Sequence, residues 1–186
     1  MLKKLLGGSI SDAVLAAMNK SLAIIEFDPA GNILTANENF LHAMGYEAKE
    51  LAGQHHRMFV DADYARSAEY AAFWQKLGRG EFDAAEYKRL GKGGREVWIQ
   101  ATYNPVLSAS GKVIKVVKFA TDITTAKLKA AEDAGRLDAI SRAQAVIEFT
   151  VDGEILTANE NFLSTLGYDL SEVKGRHHRM FVEPAY

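Results

Sequence analysis

The chain of 186 residues contains no cysteine. That absence removes disulfides, thiolate metal sites, iron–sulfur clusters and covalently attached c-type haem. Nor does any uninterrupted apolar run approach the ~18 residues that a membrane span requires. The opening stretch MLKKLLGGSIS has two lysines and a few leucines but no apolar core of signal-peptide length, and reads as a lead-in to a helix. Charge of neither sign is in excess: 22 Lys and Arg stand against 24 Asp and Glu, a net charge of −2. That balance argues against a nucleic-acid surface and against a polybasic membrane anchor. The composition is otherwise ordinary for a globular protein, 48% hydrophobic and 25% charged. The expectation is a cytoplasmic chain with no membrane and no nucleic-acid partner.

The most informative positive feature is a repeat. Residues 23–64 and 145–186 align without a gap at a constant offset of 122, and 25 of the 42 aligned positions are identical. Both copies contain ILTANENFL, Gly-Tyr, HHRMFV and a closing tyrosine, Tyr64 or Tyr186. A gapless match of that length implies two copies of one folding unit, and about 100–120 residues bury an adequate core without staples. The division expected is a cap helix over 1–21, a complete domain over 22–124, a helical linker over 125–144 and the first part of a second, truncated domain over 145–186. Lacking a counterpart of the last three strands, that second copy is expected to be less ordered or to lean on neighbours.

Local patterns give the order of elements. Ser9 or Ser11 can cap a helix over 12–20, a strand follows over 22–27, and Asp28-Pro29-Ala30-Gly31 turns the chain into a second strand over 32–35. Asn37 caps a helix that Gly45 ends; short helices follow over 48–52 and near 55–60, and a clearer one over 67–77 carries Tyr70, Phe73, Trp74 and Leu77. Strands over 81–90 and 95–107 flank Gly91-Lys92-Gly93-Gly94, which lacks the GxxxxGK[ST] spacing of a phosphate loop and reads as a turn. Period two turns Val97, Ile99, Ala101 and Tyr103 toward the core and Trp98 outward, where the N-terminal helix or a second subunit could cover it. In the strand over 112–121, Val113, Val117 and Phe119 on one face oppose Ile114, Val116 and Ala120 on the other, as in a strand covered on both sides. The linker carries an apolar stripe of Leu128, Ala131, Ala134, Leu137 and Ile140, with Glu132–Arg136 and Asp138–Arg142 at i,i+4. It suits a dimeric coiled coil or a helix packed on its own domain.

This order, and the residues within it, resemble a PAS domain with its C-terminal PAC segment. GNILTANENFLHAMGYEAKELAGQ has the turn glycine, strand, Asn-led helix and Gly-Tyr of PAS; GKGGREVWIQATYNPV is similar to the PAC hairpin; Asp122-Ile123-Thr124 resembles the Asp-x-Thr that ends many PAS domains. The resemblance implies an α+β fold: a five-stranded antiparallel sheet with short helices on one face, an N-terminal cap helix and a C-terminal linker helix. Tandem copies with HHRMFV and VWIQATYNP are most similar to the sensory PAS pairs of soluble bacterial chemoreceptors (methyl-accepting chemotaxis proteins), including the aerotaxis-receptor-like and biofilm-dispersal types. That implies a non-catalytic input module sensing a small ligand, oxygen or redox state and relaying it through the linker helix to a chemoreceptor signalling domain outside this chain. Homodimerisation through the N-terminal and linker helices is the partner it implies. The alternative is a ligand-free PAS module for dimerisation or protein interaction.

The candidate binding residues are His55, His56, Asn37, Met58 and Lys118. Four of the five histidines form two pairs, His55–His56 and His177–His178, while His42 is replaced by Ser164 in the second copy and so carries no shared role. In a PAS fold the pair borders the interior. It supplies a haem ligand through His55 or His56, binds another ligand, or splits into one packed and one solvated histidine. Haem b is the first candidate cofactor, and with no histidine in the helix over 67–77 it would have to use this pair. Flavin-binding aerotaxis PAS domains share Asn37 and a pattern matched by Gly53, Gln54, His56 and Met58. Where they continue Arg-His-Pro-Asp, this chain has Val60-Asp61-Ala62-Asp63, which sets FAD second. A cysteinyl–flavin adduct is excluded for want of a cysteine. Lys118 is a handle for an anionic ligand or a haem propionate if its face is inward, and solvated if outward. No paired carboxylates, activated nucleophile or metal-spaced cluster points to catalysis.

Overall fold

The computed structural model describes residues 2–183 and, among residues 2–11, the side chain of Ile10 alone. The chain divides into two compact units, Met1–Lys127 and Leu128–Tyr186. Tyr186 and the serines proposed as a cap, Ser9 and Ser11, fall among the residues or side chains outside that description. The helix they would start, α1 (Leu2–Ser21), begins upstream of both.

In the first unit α1 leads into β1 (Ala23–Phe27) and β2 (Ile33–Ala36). Four short helical elements follow: α2 (Glu38–Met44), α3 (Ala48–Leu51), a 3-10 turn (His56–Phe59) and α4 (Ala62–Ala65). Then come α5 (Ala68–Gly78) and three longer strands, β3 (Asp83–Leu90), β4 (Glu96–Leu107) and β5 (Val113–Asp122). The strands form one antiparallel sheet in the order β2-β1-β5-β4-β3. This is the α+β architecture implied above. Helix α4 was not anticipated; Asp61 caps it, accepting from Asp63 N at 2.8 Å.

Side-chain caps make the short helices possible, since each exposes a large share of unpaired backbone groups. Asn37 accepts from Phe40 N, Glu47 and Glu50 form a capping box, and Ser67 accepts from Tyr70 N. Gly45 ends α2 at φ 78°, a conformation that costs a residue with a Cβ. The core lies between these helices and one face of the sheet, built from Ile25, Phe27, Phe40, Met44, Leu51 and Phe59 together with Val97, Ile99, Ala101 and Tyr103. The inward set expected on β4 is therefore observed.

On β5 the expected phase is wrong at its start. The pairing with β4 shifts between Val106 and Leu107, so that Val113 is buried with Val116 and Ala120 while Ile114 is exposed. A bulge places one extra residue in a strand and exchanges its faces beyond that point. Past it, Val116, Lys118 and Ala120 point inward, and Val117 and Phe119 line a groove of about 750 Å³ with Leu15, Ala16 and Asn19 of α1.

Helix α6 (Thr124–Ala143) follows β5 and spans the division between the units. In the second unit β6 (Ile147–Phe149) pairs with β7 (Ile155–Ala158), followed by α7 (Glu160–Leu166), α8 (Leu170–Val173) and a 3-10 turn (His178–Phe181). Its buried cluster is Ile155, Leu163 and Val173.

Candidate functional site

The 3-10 turn delivers His56 into the centre of the first unit, where it is 0% exposed. Its imidazole is ringed by Phe27, Phe59, Tyr70, Phe73, Trp74 and Tyr103, with ring centroids 5.3–6.3 Å away. Nδ1 lies 3.0 Å from the Tyr70 hydroxyl and Nε2 lies 2.9 Å from the Tyr103 hydroxyl. Arg89 Nη2 donates to the same Tyr103 oxygen at 3.3 Å. One arrangement satisfies the most groups: Tyr103 accepts from Arg89 and donates to Nε2, and the Nδ1 hydrogen goes to Tyr70. The neutral Nδ1–H tautomer is assigned on that basis. Burial holds the imidazole well below its ordinary pKa, and the charges of Lys118 and Arg89 push it the same way.

Lys118 and Arg89 are the two buried cations of this region, 1% and 5% exposed. Lys118 pairs across the sheet with Tyr103. Its Nζ stands 4.9 Å from the Tyr103 ring and 5.6 Å from that of Phe40, a cation–π arrangement. Burial, then repulsion from Arg89, holds this amine well below the usual lysine range. The face of Lys118, open in the sequence, is thus inward. The nearby carboxylate of Asp83 is engaged elsewhere, by Lys76 Nζ at 2.5 Å and by the Tyr87 hydroxyl.

The other candidates lie away from this hub. His55 accepts from Arg57 N through Nδ1 at 3.0 Å, and its Nε2 donates to Ala30 O at 2.8 Å, tying the β1–β2 turn to the 3-10 turn. It sits so close to Gly31 (φ 91°) that a Cβ there would meet Nε2 at 2.8 Å. Asn37 is a junction residue. Its Oδ1 accepts from Ile24 N and Phe40 N, each at 2.9 Å, and its Nδ2 donates to Asn19 O and Leu22 O at the end of α1. Asn39 Nδ2 reaches Asn19 O, Lys20 O and Leu22 O beside it. Met58 is half-buried against the core, and His42 is exposed on α2.

The residues present do not fit haem on either histidine. An axial ligand needs a free ring nitrogen facing open space for iron at about 2 Å. Both nitrogens of His55 and of His56 are hydrogen-bonded, and six aromatic rings close around His56. Val60 is buried and Asp61 caps α4, so the run that differs from the flavin-binding pattern is used structurally. Among the described residues no group of three or more His, Asp or Glu could hold a metal ion.

The output end of β5 is joined to the same sheet. Asp122 Oδ1 accepts from Thr124 N at 2.8 Å, capping α6, and Trp98 N donates to Thr124 Oγ1 at 2.9 Å. Ile123 N donates to Trp98 O at 2.8 Å. Lys127 pairs with Glu86 at 2.5 Å and lies 5.4 Å over the Trp98 ring. Trp98 is therefore covered by the first turn of α6 rather than by the N-terminal helix. At the other end of α6, Asn159 Nδ2 donates to Ser141 O and Gln144 O, each at 2.6 Å, and Asn161 donates to Ser141 O, Arg142 O and Gln144 O. This is the Asn37–Asn39 clamp repeated: α6 is to the second copy what α1 is to the first.

Sequence reasoning missed Tyr70, Arg89, Trp74 and Asn39 as members of these sites. The available signal was Tyr103, a polar-tipped ring at an inward strand position, whose hydroxyl requires a buried partner.

Comparison with known proteins agrees with the fold. A family described as "PAS fold" matches residues 33–120, and one described as "PAS domain" matches 144–186. The biofilm dispersion protein BdlA of Pseudomonas aeruginosa is 47% identical over 172 residues, which cover 92% of this chain and 41% of that protein. The chain thus spans less than half the length of this relative. Among solved structures, a PAS domain of a protein from Colwellia psychrerythraea has a TM-score of 0.54 at 20% identity, covering 62% of this chain and 98% of that one. A light-oxygen-voltage domain studied with a flavin analogue has a TM-score of 0.52 at 20% identity, covering 68% and 96%. At those identities the structural likeness concerns the fold alone.

Proposed function

The chain belongs to the PAS family, and from that premise we propose that its first copy is the sensory input module of a chemoreceptor-type signalling protein, reading a small ligand in the interior around His56 and biasing helix α6. One observation carries the reading. Strand β5 bears Lys118 in the hub and, four residues on, Asp122, whose carboxylate caps α6. A ligand that moves Lys118 or Tyr103 acts on a strand hydrogen-bonded to the start of the output helix, which is the kind of shared element that coupling requires. The clamp of Asn159 and Asn161 then passes any shift of α6 to the second copy. Of oxygen, redox state and a small ligand, the hub favours the last, because neither histidine offers a free nitrogen to iron. Similarity to the biofilm dispersion protein supports the chemoreceptor setting.

The test is a set of single cysteines along 126–140, unique because the chain has none, scored for disulfide formation between chains. The expected result is a pattern that changes when the stimulus is added. An identical pattern in every state removes the relay.

A second reading, an interaction module that dimerises through α1, is favoured by Ile10, Val14 and Leu15, large apolar side chains left exposed on that helix. It requires a dimer in sedimentation that reverts to monomer when residues 1–21 are deleted.

A further inference from the structure

We propose that the interior of the first copy is a binding site for a small monocarboxylate with a short apolar tail, its carboxylate held by Lys118 and Arg89 beside Tyr103. The proposal rests on the sensory reading for its purpose, but its evidence is separate: an imbalance of donors over acceptors in the core.

Two buried cationic side chains at this place carry donors without an acceptor. Arg89 Nε is buried without a hydrogen-bond partner, and among the described residues no hydrogen bond or ion pair is found for the ammonium of Lys118, a residue only 1% exposed. Both adjoin one phenol: Arg89 bonds the Tyr103 hydroxyl, and Lys118 lies over the Tyr103 ring. Neither cation has a carboxylate in salt-bridge contact among the described residues: Lys118 has the ring faces of Tyr103 and Phe40, and Arg89 has the Tyr87 ring, Lys88 O and the Tyr103 hydroxyl, with Asp83 at longer range, so their lost hydration is only partly made up. A fold that keeps both has a reason to keep them, and an anion between them would supply the missing acceptors.

The chemistry of the surroundings narrows the anion. A carboxylate has two oxygens for two separated donors, the ammonium of Lys118 and the free Nε of Arg89. A halide has one centre, and a phosphate dianion would bring more acceptors than these donors can meet. The remaining wall is aromatic, with the Phe40 ring 5.6 Å from Nζ, which suits an alkyl tail and not a second charge. Six rings stand with centroids 5.3–6.3 Å from the His56 imidazole, which restricts the ligand to a small one. Taking up the anion favours the charged amine, so binding tightens as pH falls. The groups facing Lys118 in that balance are Arg89 from β3, Tyr103 from β4 and neutral His56 from the 3-10 turn.

The probes are acetate and butyrate, with chloride and inorganic phosphate at equal ionic strength as controls, added to the whole chain. Butyrate at a tenfold excess over its dissociation constant should raise the thermal midpoint by about 6 °C. It should also show saturation transfer from protein methyls to its own, a readout that needs no variant. Lys118→Met should raise the midpoint of the ligand-free protein, since an unpaired buried amine is gone, and weaken butyrate binding at least about tenfold. No saturation transfer and no shift would overturn the proposal, as would equal shifts with all four anions or an undiminished response in Lys118→Met. Those outcomes would assign the orphan donors to ordered water. Binding of butyrate without any change in cross-linking along 126–140 would sink the relay while leaving this site intact. Changed cross-linking under some other stimulus, without butyrate binding, would do the reverse.

Discussion

His56 and His178 occupy equivalent positions in two HHRMF turns, yet His56 is enclosed and His178 is exposed. The local structure is the same in both. His55 and His177 accept from the amide two residues on, at 3.0 and 3.1 Å, and each forms a backbone bridge with the residue just before its copy's second strand, Asn32 or Glu154. Asn37 and Asn159 cap equivalent helices and clamp equivalent upstream helices. What differs is the cover. In the first copy α5, β3, β4 and β5 supply Tyr70, Trp74, Arg89, Tyr103 and Lys118; among the described residues the second has only Phe149 and His177 rings beside His178. Short-range sequence thus determines the turn and its caps, whereas the chemistry of the histidine comes from strands distant in sequence. The same pentapeptide makes a polar hub in one place and a surface turn in the other.

The comparison is most severely tested by removing a shared ring. Phe27 packs edge-on against His56 and Trp74 and is fully buried, whereas its counterpart Phe149 is 49% exposed. Phe27→Ala should cost about 3–5 kcal/mol in urea unfolding. It can be followed by tryptophan emission, because both tryptophans, Trp74 and Trp98, lie in the first copy. Phe149→Ala should cost about 1 kcal/mol or less by circular dichroism; equal losses would contradict the difference in cover. Next in size is the histidine itself. His56→Leu leaves the hydroxyls of Tyr70 and Tyr103 short of a buried partner and should cost about 2–4 kcal/mol, against less than about 0.5 kcal/mol for His178→Leu.

The clamp is the feature on which the copies should agree. Asn37→Ala and Asn159→Ala each remove a cap and the ties to an upstream helix, and each should cost about 1–2 kcal/mol. Amide exchange should quicken at the end of α1 in the first variant and at the end of α6 in the second. A loss confined to one copy would show that the shared geometry is not shared energetics.

A smaller effect follows from pH. With the folded pKa of His56 below its unfolded value of about 6.5, the unfolded chain binds the extra proton. The stability from neutral His56 is full above pH 6.5 and is lost as pH falls toward the folded pKa, by about 1.4 kcal/mol per pH unit. His55 is depressed too, by burial first, and adds in the same direction. Stability measured by tryptophan emission should therefore fall between pH 6.5 and 5.5, less steeply in His56→Leu. An unchanged slope in that variant would remove His56 from the effect.

Much of this was legible in the sequence because it depends on short-range chemistry. The repeat, the turn at Gly91–Gly94, the Asn37 cap, the Asp122–Thr124 cap and the inward set on β4 all follow from spacing and residue type. Lys118 could not be placed, because its direction depends on a bulge between Val106 and Leu107 that neither strand announces. Trp98 was placed outward, but its contact with the first turn of α6 was not foreseen, since that turn reaches it only through Thr124 and Lys127. The hub was missed because its members come from a 3-10 turn, a helix and three strands. Period two put Tyr103 in the core, and asking what its hydroxyl bonds would have led to a histidine.

The hub is tested most directly by the state of the His56 imidazole. Histidine-selective 15N NMR across pH 8 to 5.5 resolves each ring's tautomer and titration. The expected result is that His56 stays neutral throughout as the Nδ1–H tautomer, its Nε2 accepting from Tyr103 and its Nδ1–H donating to Tyr70. A His56 signal that titrates with a midpoint near 6.5, or that reports the Nε2–H form, would contradict it.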